Sequence, residues 1–302
     1  MTLPKRVKIV EVSPRDGLQN EIQLVSADLK IEFINLLVAA GVSFIEAGSF
    51  VNPRWVPQMA NTDTVFARIK GVKNVNFSAL VPNLRGFERA IEAGVKEISI
   101  FTSASESFSK KNTNCSIQES LVRFVPVLKL AADKKIPTRA YISCIAGCPY
   151  EGAISPTKVA VLANELYQMG CYEVSLADTT GVGTPGIICQ AIEKVSAKVP
   201  LNSIAGHFHD TYSQALVNIY AALSMGVSIF DSSVSGLGGC PYVKNSDTYK
   251  APGNVATEDL IYMLNGLNIK HEINLNGLIK AGLFISKKLG KKSGSKVSAA
   301  FT

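Results

Sequence analysis

Histidine is scarce in this chain, with three among 302 residues, and tryptophan occurs once. No apolar run approaches the ~20 residues that a membrane-crossing helix needs, so no membrane partner is expected. The opening stretch MTLPKRVKIVEVSPRDG lacks the apolar block and small-residue cleavage site of a secretory signal. It is also too poor in Arg and Ser for a transit peptide, and a cytoplasmic location is the resulting expectation. The six cysteines include no C-x-x-C pair. Cys144 and Cys148 have no partner pair, which argues against a structural zinc site. Scattered thiols fit a reducing compartment better than a disulfide framework.

The net charge is +7, and much of the excess lies in SKKLGKKSGSK near the C-terminus. The expectation there is a solvated, partly disordered end. No recognition motif or aromatic platform accompanies the charge, so nucleic acid is not an expected partner. A phosphate-bearing small substrate remains open.

What the chain does have is alternation. Short β-branched runs (VKIVEV, SFIEAG, NFSALV, EISIFT, TRAYIS, EVSLAD, IAGHFH and SIFDSS) are separated by amphipathic stretches. SADLKIEFINLLVAAG and SPTKVAVLANELYQMG both begin at Ser, a good N-cap, and end at Gly, a good helix stop. The repeated order helix, Gly, strand implies a parallel sheet with crossover helices. Eight such units predict an α/β TIM (β/α)8 barrel. An open doubly wound sheet would carry a Gly-rich phosphate turn after its first strand, and SPRDGLQNE is not one. Residues 257–302 read as extra C-terminal helices on a single catalytic domain spanning 1–302, since no linker separates them.

Two of the three histidines fall together in IAGHFHDTY. Alternate strand residues point the same way, so His207 and His209 project together at the end of the seventh strand. Barrel active sites lie at that end, and two imidazoles on one side make a pair of metal ligands. The alternative is a hydrogen-bonded polar pair. Arg15-Asp16-Gly17 closes the first strand, offering a carboxylate ligand, a cation for a developing oxyanion, and a glycine for a tight turn. Its bland reading is a local salt bridge. Glu46, at the end of the second strand, and Asp178, at the end of the sixth, either orient a ligand, pair with Arg15 or cap a helix. After the last strand comes SVSGLGGCPY, a glycine-rich stretch able to carry Cys240 over a site, or an inert loop thiol. Asn254 could offer an amide oxygen to a metal or serve as a turn residue.

SPRDGLQNE, GHFHDTY, GLGGCPY and GNVATEDL, together with SFVNPRWVPQMA, KKNTNCSI and SCIAGCPYEG, resemble the 3-hydroxy-3-methylglutaryl-CoA lyase family. The resemblance runs from residue 7 to about residue 265. It implies a TIM barrel, a divalent cation (Mg2+ or Mn2+), and cleavage of hydroxymethylglutaryl-CoA to acetyl-CoA and acetoacetate. It implies Asp16, His207 and His209 as metal ligands, with Asn254 as a variable fourth. Arg15 is implied at the enolate, Cys240 in proton transfer, and Glu46 and Asp178 as active-site carboxylates. Gln19, Lys110, Lys111, Asn112, Arg139 and Tyr141 are the expected substrate-binding set, with Lys110 and Lys111 as charges for CoA phosphates or, alternatively, part of a solvated basic loop. A homo-oligomer, a dimer, is expected. Two departures stand out: the segment between Cys240 and Asn254 is longer than the family pattern, and the ending AAFT lacks the peroxisomal tripeptide and cysteine ending of animal forms. The latter leads to the expectation of a bacterial, cytoplasmic enzyme. The rival readings are a condensing synthase or aldolase on the same barrel, and a non-catalytic CoA- or metal-binding module.

Overall fold

The computed structural model describes residues 3–239 and 253–301. Eight parallel strands close into a barrel: β1 (Lys8–Glu11), β2 (Phe44–Ser49), β3 (Asn76–Leu80), β4 (Glu97–Ser103), β5 (Thr138–Ser143), β8 (Glu173–Asp178), β9 (Ile204–Phe208) and β10 (Ile229–Ser232). The two strands missing from that series, β6 (Gly147–Cys148) and β7 (Gly152–Ala153), form a small antiparallel hairpin outside the barrel. All eight runs expected from the sequence are barrel strands; TRAYIS and EVSLAD match residue for residue, and the others differ by one residue at one end or both. The IAGHFH strand stops at Phe208, and His209 instead bridges antiparallel to Asn254.

The helices start where short polar side chains satisfy orphan amides. Ser26 accepts from Leu29 N ahead of α1 (Ala27–Ala39). Ser116 and Glu119 form a capping box on α5 (Ile117–Asp133). The helices bury their apolar faces against the outside of the strands, where one large cluster includes Phe33, Phe87, Val174 and Phe230. Inside the barrel the apolar filling is small: Val10, Val12, Ala205 and Ile229, with Phe44 against them. Charged and polar side chains take much of the remaining interior, including Glu46, Ser99, Arg139, Glu173, Ser175 and Asp231. Branched apolar layers are the ordinary filling of such barrels.

After β10 come α9 (Thr257–Gly266), α10 (Leu275–Lys288) and α11 (Lys296–Phe301). α10 packs on α1, and Asn274 N donates to Ala40 O at 2.8 Å. The basic C-terminal segment is ordered, contrary to the expectation of a partly disordered end. Its lysines are exposed, but Gly294 N donates to Ser235 O at 2.8 Å and Ser295 is buried against Asp259. The Ser235 backbone lies in the left-handed region (φ 60°), directly ahead of Gly236. Among the described residues, no helix is long and apolar enough to cross a membrane.

Candidate active site

The site sits where the strands end. β1 stops at Glu11, and Arg15 and Asp16 follow in one wide helical turn, Ser13–Gly17. Gly17 N donates five residues back to Val12 O at 3.1 Å. Such π-type turns recur at functional sites. Gly17 is needed for close packing rather than for backbone freedom: a Cβ there would meet Ser233 Oγ at 2.7 Å and Leu237 Cβ at 2.9 Å.

Asp16, His207 and His209 converge, with one ligand atom from each lying within 4.8 Å of the others. The two Nε2 atoms are 3.3 Å apart. Cis ligands around an octahedral ion with bonds of about 2.1 Å sit about 3 Å apart, so the spacing suits one cation between them. His207 Nδ1 lies 3.1 Å from Asp231 Oδ2. A carboxylate can only accept, so the His207 proton sits on Nδ1 and the Nε2 lone pair faces the site. Burial lowers the His209 pKa to about 4, helped by His207 and Arg15, and keeps that ring neutral. Partial burial works to raise the Asp16 pKa, but the Arg15 guanidinium and the two imidazoles bring it down to about 2. One carboxylate and two imidazoles form a donor set that fits Mg2+ or Mn2+ completed by oxygen ligands.

Asn254 is also at the site. Its Nδ2 donates to Asp16 Oδ2 at 2.7 Å and to Leu237 O at 3.0 Å. Both partners are acceptors, which assigns the nitrogen to that side. Asn254 thus holds Asp16 in place, and Oδ1 is the atom it has left for a cation.

Arg15 is buried. Its Nη1 donates to Asp16 Oδ1 at 2.6 Å and its Nε to Glu46 Oε2 at 2.5 Å. The pairing of Arg15 with Glu46 is one that the sequence left open. Glu46 lies in the middle of β2 rather than at its end, and its other oxygen accepts from Ser99 Oγ. It orients Arg15 and does not itself line the cleft.

That cleft has a volume of about 780 Å³ and is lined by Arg15, Asp16, Gln19, Tyr141, His207 and His209, among others. Lys111 and Asn112 line its outer part, with Arg123 and the exposed Trp55. The buried Oε1 of Gln19 has no hydrogen-bond partner among the described residues. Lys110 and Lys111 lie on helix α4 (Glu106–Thr113) rather than in a loop. Only Lys111 of the two reaches the cleft, and its Nζ sits 3.7 Å from the Tyr150 ring centre.

Besides Glu46, Lys110 and Asn254, two more expected site residues lie outside the cleft lining. Asp178 ends β8 and is fully buried, with Oδ2 accepting from Gly183 N at 2.8 Å. It closes the turn ahead of α7 (Pro185–Ser196) by holding Gly183, one residue before the Thr184 N-cap, and does not itself cap that helix. Burial raises its pKa to about 6, against the lowering effect of backbone amides and His207. Arg139, expected to touch substrate, is held inside the barrel by Glu173, Asp231 and the Tyr141 hydroxyl. Cys240 and the long segment up to residue 252 lie outside the described residues.

The sequence reading missed Asp231. Its only local signal is a carboxylate inside the β-branched run SIFDSS. Its meaning comes from register, because parallel pairing sets Asp231 directly against His207 on the neighbouring strand.

A closed (β/α)8 barrel with an Asp–His–His donor set and a buried arginine at its C-terminal face defines a class, the barrel enzymes with a candidate cation site where the strands end. A family model described as HMGL-like matches residues 6–285, and the chain belongs to that family. It is 55% identical over 300 residues to a Pseudomonas aeruginosa protein named 3-hydroxy-3-isohexenylglutaryl-CoA/hydroxy-methylglutaryl-CoA lyase, covering 99% of this chain and 98% of the relative. It is 56% identical over 299 residues to the mitochondrial hydroxymethylglutaryl-CoA lyase of Homo sapiens, covering 99% and 90%. The crystal structure of hydroxymethylglutaryl-CoA lyase from Pseudomonas aeruginosa superposes with a TM-score of 0.96 at 55% identity, covering 100% of this chain and 99% of that one.

Proposed function

We propose that the chain cleaves 3-hydroxy-3-methylglutaryl-CoA to acetyl-CoA and acetoacetate with the help of Mg2+ or Mn2+. The observation that carries this reading is the meeting of Arg15 with Asp16, His207 and His209 in one cleft. The reaction is a retro-Claisen cleavage. The C3 hydroxyl loses its proton, the C2–C3 bond breaks, and its electron pair forms the thioester enolate. A proton then returns to C2.

Asp16, His207 and His209 would hold the cation, with Asn254 as the fourth protein ligand. When bound, a divalent cation supplies Lewis acidity that makes a substrate hydroxyl more acidic. Asp16 or His207 would relay the hydroxyl proton; both Asp16 oxygens already accept, Oδ1 from Arg15 and Oδ2 from Asn254, and each keeps a further lone pair. Arg15, held by Glu46 and Asp16, presents its guanidinium to the enolate oxygen, and a donor of this kind contributes about 3 kcal/mol. Cys240 is assigned the return of the proton to C2 by its place in GLGGCPY alone. Gln19, Lys111 and Asn112 receive the CoA arm along the cleft, with Lys110 adding charge nearby.

The same reading includes a homodimer in the cytoplasm, tested by light scattering and by fractionation. The central test is an assay of the purified protein with 3-hydroxy-3-methylglutaryl-CoA after chelation, before and after Mg2+ is restored. Acetoacetate release that depends on the metal is the expected result. Condensation of acetyl-CoA with a 2-oxo acid, or metal binding without turnover, overturns it. Running the isohexenyl thioester alongside tests whether the wider substrate range in the relative's name applies to this chain.

A further inference from the structure

A line of buried groups of alternating charge runs through the barrel interior from the candidate cation site to its far end. His207 Nδ1 faces Asp231 Oδ2 at 3.1 Å. Asp231 Oδ1 accepts from Arg139 Nη2 at 2.6 Å. Arg139 Nε donates to Glu173 Oε1, and Glu173 Oε2 accepts from Lys8 Nζ at 2.8 Å. Lys8 opens β1 and borders a second cavity of about 400 Å³, where the strands begin. Every member except Lys8 is 5% exposed or less. Strand register builds the line: Arg139 pairs across to Glu173, and Asp231 to His207.

Stability alone does not account for this arrangement. Buried ion pairs recover their desolvation cost poorly, and apolar replacements of similar volume are often neutral or stabilising. What the line does provide is orientation. Asp231 is fixed from two sides, with Oδ1 accepting from Arg139 Nη2 and Oδ2 from Ser175 Oγ at 2.8 Å, so it meets His207 in one orientation. Arg139 is a planar fork with all three arms in use, at Glu173, at the Tyr141 hydroxyl and at Asp231. A planar fork cannot tilt toward one carboxylate without leaving the other.

We propose that Lys8 and Glu173 are positioning residues for His207, acting through Arg139 and Asp231 from the opposite end of the barrel. Lys8 neutralises the outer oxygen of Glu173, which leaves Glu173 a single hydrogen bond for Arg139. Without Lys8, Glu173 attracts Arg139 more strongly and draws the fork away from Asp231. His207 then loses its fixed ring orientation. The role rests on His207 being a site residue, as in the reading above.

The test uses Lys8→Met, which keeps a chain that packs on Phe44 and Tyr172, together with Glu173→Gln and the conservative Lys8→Arg. With three histidines in the chain, ring-15N labelling of histidine gives a spectrum simple enough to follow His207 in the metal-free protein. Lys8→Met and Glu173→Gln are expected to shift the His207 ring from a pure Nδ1–H form toward a tautomer mixture. They should lower kcat roughly tenfold with little change in KM, as removal of outer partners of a metal ligand does. Lys8→Arg is expected to restore both. A double-mutant cycle of Lys8→Met with Asp231→Asn should be non-additive, whereas uncoupled distant sites add. An unchanged His207 ring in folded Glu173→Gln, or an additive cycle, overturns the proposal. Because the ring is read without metal or substrate, failure of the lyase assay leaves this result standing on its own.

Discussion

The Asp231 carboxylate stands 3.1 Å from His207 Nδ1, while Nε2 of the same ring stands 3.3 Å from His209 Nε2. One carboxylate therefore decides which nitrogen of His207 faces the site. Asp231→Asn keeps the shape but loses the charge shared with Arg139. It is expected to weaken Mn2+ binding by roughly 10- to 100-fold, as changes to the outer partners of metal ligands do. Calorimetric titration measures this, and an unchanged affinity would remove His207 from the ligand set.

Among the described residues His209 has no comparable partner, since its buried Nδ1 has no hydrogen-bond partner there. Its position depends on the site itself and on the backbone bridge to Asn254. His209→Ala removes a proposed ligand nitrogen, on a ring whose pKa burial lowers to about 4. Mn2+ affinity should fall clearly while the circular dichroism spectrum stays that of a folded barrel. If affinity holds, the histidine pair is structural.

Arg15→Lys tests the guanidinium as a fork rather than as a charge. Arg15 bonds Glu46 through Nε and Asp16 through Nη1, which one ammonium group cannot reproduce in the same geometry. A fall in kcat of roughly 10²- to 10³-fold is expected, the usual cost of losing an oxyanion donor. Metal affinity should change far less. Turnover near the wild-type rate would take Arg15 out of the enolate role.

The barrel could be read from the sequence because its strands are short β-branched runs between helix-ending glycines, and chain order alone arranges eight of them in a ring. The histidine pair could be read because period two is a local property. Asp231, Arg139 and Glu46 were harder, because their roles come from neighbours on adjacent strands. Nothing near Arg139 in TRAYIS separates an arginine that meets substrate from one that meets Glu173 and Asp231. Glu46 looked terminal because FIEAGS runs into a loop-like stretch, but the strand continues to Ser49. The basic C-terminal segment misled for a related reason. Its lysines are solvated as charge patterning suggests, but the serines and glycines between them pack against Ser235, a contact made far away in sequence.

That contact leads to the last prediction, which concerns Glu258. Both of its carboxylate oxygens accept from Ser235 N, at 3.1 and 2.9 Å, and Ser298 Oγ lies 3.3 Å from one of them. Glu258 is fully buried. Burial raises its pKa to about 8, with Glu11 and Asp259 adding to the rise against the lowering effect of backbone amides. In the unfolded chain this carboxyl ionises near 4.5, whereas the folded protein keeps its proton up to about pH 8. Between those values the folded state binds more protons. This contribution is therefore fully present below about pH 4.5 and is lost as pH rises toward 8, by at most about 1.4 kcal/mol per unit. Glu258→Gln has no proton to lose, so its Tm should lack that slope. Calorimetric scans at about pH 5, 6.5 and 8 should show the variant gaining on the wild type as pH rises. Parallel Tm curves would mean that Glu258 is already ionised in the fold. In that case the Ser235 amide, not burial, would set the state of the carboxyl at the root of the glycine-rich stretch.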